Sequence, residues 1–245
     1  MPSFSSLIFT ALVATTFVSA HGNVQVVTGD AGGNGTALGI QGGVVPGTGR
    51  NKVTEVDTTV FRKTDIATDG LGKTKGGGKN KAADLAAAMQ LSGDTLPQVS
   101  ASGGSISGTF HIVTTDGAGP VSAMIDPTAT GNFASGVQAN IMTDVPGNKG
   151  NIKANGVVPR MMSLLTKRAA NVNMDFPIQI AVPAGTTCSG TVAGQSNVCF
   201  MKIANSNKAG PFGGVVAFQM ADASAGNTTA AGAVKAAVLP RRFSA

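Results

Sequence analysis

Short stretches in which apolar and polar residues alternate, separated by glycine and asparagine, constrain the fold of this chain more than any other feature. A period of two is the repeat of a β-strand with one buried face. The clearest stretch is 171–182, where Val, Met, Phe and Ile alternate with Asn, Asp and Gln. Pro177 lies inside this stretch, which indicates a position at the edge of a sheet. The sequence therefore predicts a mostly β protein.

The same pattern recurs along the chain and predicts about eight strands. The other seven stretches are residues 23–28, 53–61, 105–115, 121–125, 137–142, 198–204 and 214–220. We interpret 121–125 as the hairpin partner of 105–115. Residues 81–91 and 159–168 predict two short helices, and 29–50 and 65–81 read as long glycine-rich loops. These elements together predict an immunoglobulin-like β-sandwich.

Both ends of the chain differ from the middle. Residues 1–20 resemble a secretory signal peptide, with an apolar run and the small residues Val18-Ser19-Ala20 at a cleavage site. Residues 221–245 are rich in Ala, Gly, Ser and Thr and predict a disordered tail. The sequence thus predicts a single domain over 21–220, secreted to the extracellular space. It contains no second long apolar stretch, so no transmembrane segment is expected.

Composition excludes some classes of partner. The chain carries a net charge of +6 and contains no Trp or Tyr. Basic residues are not interleaved with aromatic ones, which argues against binding of nucleic acid. Residues 67–74 fit a loose phosphate-binding loop, but three glycines follow and interrupt any helix, so nucleotide binding is not expected. In a secreted protein the positive charge favours anionic surfaces or simply keeps the protein soluble.

The two histidines of the chain, His21 and His111, form the main candidate site. Cleavage after Ala20 would make His21 the first residue, with its α-amine and its ring both available to one metal ion. The period of two places His111 on the polar face of its strand. Three nitrogen ligands in this arrangement suit copper. The alternative interpretation is a chance terminal histidine together with a surface histidine.

Phe218 is the candidate for the axial position of such a copper site, because no Tyr is available for it. The alternative is that Phe218, Val216 and Met220 all belong to the core. Other catalytic constellations find little support: a serine triad or zinc hydrolase would need one of only two histidines, and no pair of carboxylates stands out.

Two kinds of covalent feature are predicted. Cys188 and Cys199 are the only cysteines, and in a secreted chain they are expected to form one disulfide. Asn34-Gly35-Thr36 and Asn227-Thr228-Thr229 are acceptor sequences for N-linked glycosylation, so Asn34 and Asn227 are candidate sites in a eukaryotic host.

Several segments together resemble the fungal appressorial virulence-factor family, the Egh-like or GAS/MAS-type secreted proteins. They are HGNVQVVTGDAGG at the expected start, GTFHIVTTDGAGP, the region of the two cysteines, and AGPFGGVVAFQ. The resemblance implies a secreted fungal protein associated with infection structures. It does not imply a catalytic activity.

The terminal His-Gly and the second histidine also resemble the histidine brace of lytic polysaccharide monooxygenases, which are copper enzymes with an immunoglobulin-like sandwich. Two hypotheses follow. In the first, the protein binds a cell-wall polysaccharide or a host surface without catalysis. In the second, it is a copper-dependent oxidase of a surface polysaccharide. The sequence leaves open whether the protein is an enzyme.

Overall fold

Strands dominate the part of the chain that the structure describes, residues 22–42, 55–159 and 169–221 of a computed structural model. In chain order, the strands β1 to β13 are Gly22–Gly29, Gly32–Gly35, Thr59–Val60, Lys73–Thr74, Gly78–Lys79, Gln98–Ser100, Gly104–Thr114, Val121–Asp126, Val137–Thr143, Asn171–Val182, Gly190–Val192, Gln195–Asn205 and Phe212–Ala221. One helix, α1, spans Leu85–Leu91 and follows a 3-10 turn at Ala82–Asp84. The prediction of a mostly β protein is confirmed.

Seven of these strands pair in a closed circuit. The order is β1, β7, β10, β9, β8, β12 and β13, and β13 returns to β1. All neighbours in the circuit are antiparallel except β1 and β13, which are parallel with Asn23 opposite Gly213. Each of these seven strands therefore pairs with a neighbour on both sides over at least part of its length.

Alternation along β7 and β10 produces the inner core. Ile106 lies opposite Ile180, and Phe110 lies opposite Phe176, so their side chains project to the same side of the sheet. Ile106 and Phe110 are fully buried inside the circuit. Pro177 lies opposite Thr109 on β7, and β9 pairs with β10 only from Gln179 onward. Pro177 has no N–H, but it lies outside the part of β10 that pairs with β9, so no hydrogen bond of that ladder is lost.

A second apolar cluster covers the outer face of β12 and β13. It combines side chains from those strands with α1 and with the segment that carries Phe61 and Leu71. Lys202 of β12 lies within this layer and is only 1% exposed. Its Nζ lies 4.5 Å and 4.7 Å from the ring centres of Phe61 and Phe133. Nζ also donates hydrogen bonds to the carbonyls of Ile66, at 3.2 Å, and Thr68.

The structure corrects several details of the predicted elements. The stretches 29–50 and 65–81, predicted as loops, contain the short strands β2, β4 and β5. Residues 121–125 form a strand, β8, but it pairs with β9 and β12 instead of forming a hairpin with β7. Of the stretch 53–61, only Thr59–Val60 is a strand among the described residues. The predicted helix at 159–168, the signal peptide and the tail after residue 221 lie outside the described residues. Within 22–42, 55–159 and 169–221, no helix is long and apolar enough to cross a membrane.

The predicted disulfide is confirmed. Cys188 and Cys199 are bonded, with their Cα atoms 5.0 Å apart and 11 positions apart in sequence. Cys199 belongs to β12 and is fully buried in the inner core, whereas Cys188 lies in the segment before β11. The bond thus fastens a surface segment to a core strand.

Replacing both cysteines with alanine is expected to lower the free energy of unfolding by about 3 kcal/mol, because the open loop gains entropy in the unfolded chain. Urea unfolding of both proteins, with and without reductant, measures this change. Reductant should lower the midpoint of the wild type and leave that of the variant unchanged. Equal stability of the two proteins under oxidising conditions would contradict the prediction.

Candidate functional site

His111 lies in the middle of a row of four residues that crosses four neighbouring strands. On β7 it is opposite Asn23 of β1 and Asp175 of β10, and Asn23 is in turn opposite Gly213 of β13. Directly opposed residues project to the same side of a sheet. This side is the outer one, because the neighbours of His111, Phe110 and Ile112, project into the inner core.

Both strands that flank β7 carry a bulge beside this row. Val24 and Val27 are three residues apart on β1, but their partners on β7, Phe110 and Gly108, are only two residues apart. A similar extra residue occurs on β10 between Asn171 and Met174, and Asn173 has a positive φ of 46° there. Bulges redirect side chains and are frequent next to binding sites. The bulge on β1 leaves Gln25 half-buried and Val26 exposed.

A hydrogen-bonded chain links three side chains of this face. The Nδ1 atom of His111 lies 2.6 Å from Oδ1 of Asp175, and Nε2 of Gln25 donates to the same oxygen at 3.4 Å. When the imidazole is neutral, the bond to Asp175 places its proton on Nδ1. Nε2 then presents a lone pair, and among the described residues it has no hydrogen-bond partner. Such an imidazole can accept a proton or bind a metal.

Burial at this row differs from the sequence prediction. His111 is on the outer face as predicted, yet it is only 4% exposed, whereas the side chain of Asp175 is 61% exposed. Asn23 is 2% exposed, and its buried Oδ1 has no hydrogen-bond partner among the residues that the structure describes. A buried acceptor left unpaired costs about 1–3 kcal/mol. The row therefore combines an imidazole held by a carboxylate with an unsatisfied amide oxygen.

Gly22 holds the start of β1 close to the end of β7. A Cβ atom at this position would lie 2.3 Å from the carbonyl oxygen of Gly117 and 2.4 Å from the ring of Phe110. Only glycine allows this approach. Gly22 is also opposite Ile112, the neighbour of His111. His21 lies outside the described residues.

A cavity of about 490 Å³ adjoins the hydrogen-bonded chain at Gln25. Its size falls within the range of roughly 300–1,000 Å³ that is typical of ligand pockets. The lining mixes apolar side chains with amides and hydroxyls: Gln25, Val26, Asn34, Gly35, Thr36, Ile40, Gly42, Leu91 and Ser92. Asn34, a predicted glycosylation site, is exposed at this cavity, and Asn227 lies outside the described residues.

Comparison with known proteins identifies the family. A family model described as Egh16-like virulence factor matches residues 19–213. The chain belongs to the Egh16-like virulence factor family. It is 36% identical over 220 residues to the appressoria-specific virulence factor GAS1 of Pyricularia oryzae, covering 89% of this chain and 79% of that protein. It is 32% identical to GAS2 of the same fungus, covering 90% of each. No solved structure matches.

The structure separates the residues predicted for the copper site of this Egh16-like protein. Phe218 is fully buried in the inner core together with Val216, while His111 is on the outer face of the sheet. The geometry does not bring Phe218 to His111, so an axial role is not supported. Among the described residues, no group of three His, Cys, Asp or Glu side chains could hold a metal ion.

Among the buried ionisable residues that the sequence did not indicate, Lys202 and Asp116 of this Egh16-like chain have strongly shifted pKa values. Burial lowers the pKa of Lys202 to about 8, although Asp69 and Asp65 nearby oppose this shift. Burial also raises the pKa of Asp116, in the turn after β7, to about 6. A hydrogen bond from Thr114 partly opposes that second shift. The only sequence signal for Lys202 was a lysine inside an apolar strand.

Asp116 is expected to make the stability of the protein depend on pH. Its folded pKa of about 6 exceeds the unfolded value of 3.8, so the folded state holds a proton that the unfolded chain has released. This stabilisation is complete below the unfolded pKa and is lost as the pH rises through about 6. The free energy of unfolding should fall by at most about 3 kcal/mol over this range.

Denaturant unfolding of the wild type and of Asp116→Asn between pH 4 and 7 measures this contribution. The asparagine still accepts a hydrogen bond from Thr114 but does not titrate, so the decline should become shallower. Asp94→Asn, at an exposed position, is the matched control and should follow the wild type. A decline of the same size in Asp116→Asn would show that another group causes it.

Proposed function

We propose that this protein is a secreted, infection-associated protein that acts at the fungal cell wall or the host surface by binding a polysaccharide. Membership of the Egh16-like family and the likeness to appressoria-specific virulence factors support this role. The signal-like residues 1–20 support secretion. One structural observation carries the proposal: Gln25, Asp175 and His111 are joined on the outer face, beside two strand bulges and a cavity.

The chemistry of this face suits a polymer that is rich in hydroxyl groups. The exposed carboxylate of Asp175 accepts hydrogen bonds, and the amide of Gln25 both donates and accepts them. The chain has no Trp or Tyr, so hydrogen bonds have to supply more of the affinity than ring stacking does.

Co-sedimentation with insoluble chitin, β-glucan and isolated host surface material tests this binding. Gln25→Ala and Asp175→Ala should each weaken retention roughly tenfold, as expected when a hydrogen bond to a charged or buried group is lost. Met142→Ser alters an exposed side chain on β9 and is the matched control. Thermal unfolding establishes that each variant is folded. Retention on none of these materials, or equal retention of all the variants, would overturn the proposal.

A copper site is the second candidate function, and the row around His111 favours it. Asp175 fixes Nδ1 of His111, the arrangement by which a carboxylate orients a metal-binding imidazole. Oδ1 of Asn23, without a hydrogen-bond partner in the described part of the chain, lies on the same face. In the sequence His21 directly precedes Gly22, and Gly22 lies opposite Ile112, the neighbour of His111. Bound copper would supply redox chemistry for oxidation of a surface polysaccharide.

Copper calorimetry tests this candidate on protein whose first residue is His21. We expect nanomolar affinity that is lost in His111→Ala and in protein with one extra residue before His21. Asp175→Asn should weaken binding about 10- to 100-fold, because the imidazole loses its orienting partner. Met142→Ser should bind as the wild type does. Affinity weaker than micromolar, or affinity that is indifferent to these changes, would eliminate the copper site.

We also propose that the closed circuit is an immunoglobulin-like sandwich. Its seven strands in chain order are β1, β7, β8, β9, β10, β12 and β13. The pairing β1-β7-β10-β9 corresponds to the A-B-E-D sheet of the seven-strand arrangement, and β8-β12-β13 corresponds to C-F-G. Pairing of β8 with β9 and of β1 with β13 would then join the two sheets at their edges. This correspondence supports the sequence prediction.

A further inference from the structure

We propose that Asn34 carries an N-linked glycan whose first sugars lie in the cavity between Val26 and Leu91. The inference rests on the proposed function only in requiring that the protein passes through a eukaryotic secretory pathway. Asn34-Gly35-Thr36 is an acceptor sequence, and both Asn34 and Thr36 line the cavity. The attachment point therefore lies beside the candidate binding surface, in a cavity that neither Asp175 nor His111 lines.

The side chain of Asn34 is oriented for attachment. Thr28, opposite it on β1, donates a hydrogen bond from Oγ1 to Oδ1 of Asn34 at 2.8 Å. Thr95 fixes the backbone of Asn34 by accepting from its N–H at 3.0 Å and donating to its carbonyl at 3.2 Å. Nδ2 has no hydrogen-bond partner among the described residues. A sugar on Nδ2 therefore breaks no described contact.

The attachment reaction needs a donor that the secretory pathway supplies, a lipid pyrophosphate carrying an oligosaccharide. Nδ2 of Asn34 forms a bond to C1 of the first sugar and loses one proton. The bond between C1 and the pyrophosphate oxygen breaks, and the lipid pyrophosphate leaves with the electron pair. The remaining proton on Nδ2 keeps the linkage an amide. Because transfer precedes folding, the burial of Thr36 in the folded protein is no obstacle.

The cavity offers the glycan a surface that matches its chemistry. Val26 and Leu91 are 54% and 49% exposed, which is unfavourable for large apolar side chains that nothing covers. The C–H faces of the first sugars can cover them, and hydroxyl groups can pair with Ser92, which leaves the amide of Gln25 and the carboxylate of Asp175 to an external polymer. The cavity of about 490 Å³ provides space at the attachment point itself. Because the glycan is covalently attached, it loses no translational or rotational entropy of association when it occupies the cavity. Only the ordering of its own sugars opposes this.

Secretion of the full chain from a filamentous fungus, followed by peptide mass spectrometry before and after N-glycosidase treatment, tests the attachment. We expect Asn34 to be modified in the wild type, in the Asn227→Gln variant and in the Thr36→Ser variant. The serine keeps both the acceptor sequence and the hydroxyl that Thr36 donates to the carbonyl of Gln25. Asn34→Gln should lose the modification. Secreted protein with unmodified Asn34 would overturn this inference alone, whereas failure of secretion would overturn the proposed function.

Removal of the glycan tests where its first sugars lie. Enzymatic removal from the folded wild type should increase the fluorescence of an apolar-surface dye and lower the thermal midpoint by roughly 2–4 °C. In Leu91→Ser, which keeps the acceptor sequence but removes one apolar wall, both changes should be smaller. Unchanged dye binding and an unchanged midpoint would place the glycan outside the cavity. A dimer of the glycosylated wild type that dissociates in Leu91→Ser would identify a second copy of the chain as the occupant and overturn the inference.

Discussion

The antiparallel pairing of β7 with β1 on one side and β10 on the other is the constraint on which the remaining structure depends. It places Phe110 and Ile112 in the inner core and, by the same alternation, His111 on the outer face. A slip of one residue would exchange these faces and move the imidazole into the core. The two bulges shift the register between Val24 and Val27 of β1 and between Asn171 and Met174 of β10, whereas Asn23, His111 and Asp175 remain directly opposite one another.

Close approach of backbone segments explains why the segments that most resemble the family are rich in glycine. At the start of β1, Gly22 fits against Gly117 and Phe110. Within AGPFGG, a Cβ on Gly213 would lie 2.0 Å from the carbonyl oxygen of Ile203 on β12. Gly213 is also the parallel partner of Asn23. Glycines therefore bring β13 and β1 together and close the circuit next to the polar row.

Local alternation was sufficient to predict the seven strands of the circuit, because each of them has one face in a core. The short strands β2, β4, β5, β6 and β11 show no such alternation and were not predicted. It was insufficient to predict their partners: β8 follows β7 along the chain but pairs with β9 and β12. The burial of His111 was not predictable either, since its partner Asp175 is 64 positions away. Lys202 was missed because the sequence of its apolar strand does not indicate its contacts. Carbonyl oxygens and two phenylalanine rings from other segments surround its Nζ.

Among the described residues, nothing donates a hydrogen bond to Oδ1 of Asn23, and this distinguishes Asn23 from the rest of the outer row. Asp175 and His111 satisfy one another, although the exposed carboxylate of Asp175 can accept further hydrogen bonds. A buried acceptor without a donor raises the free energy of the unbound protein. This cost is removed by a ligand that donates a hydrogen bond to the oxygen, or by a cation that the oxygen coordinates. The free energy of binding is then more favourable by the same amount. The junction of β1 and β7 would therefore add affinity to the surface that Gln25 and Asp175 form beside it.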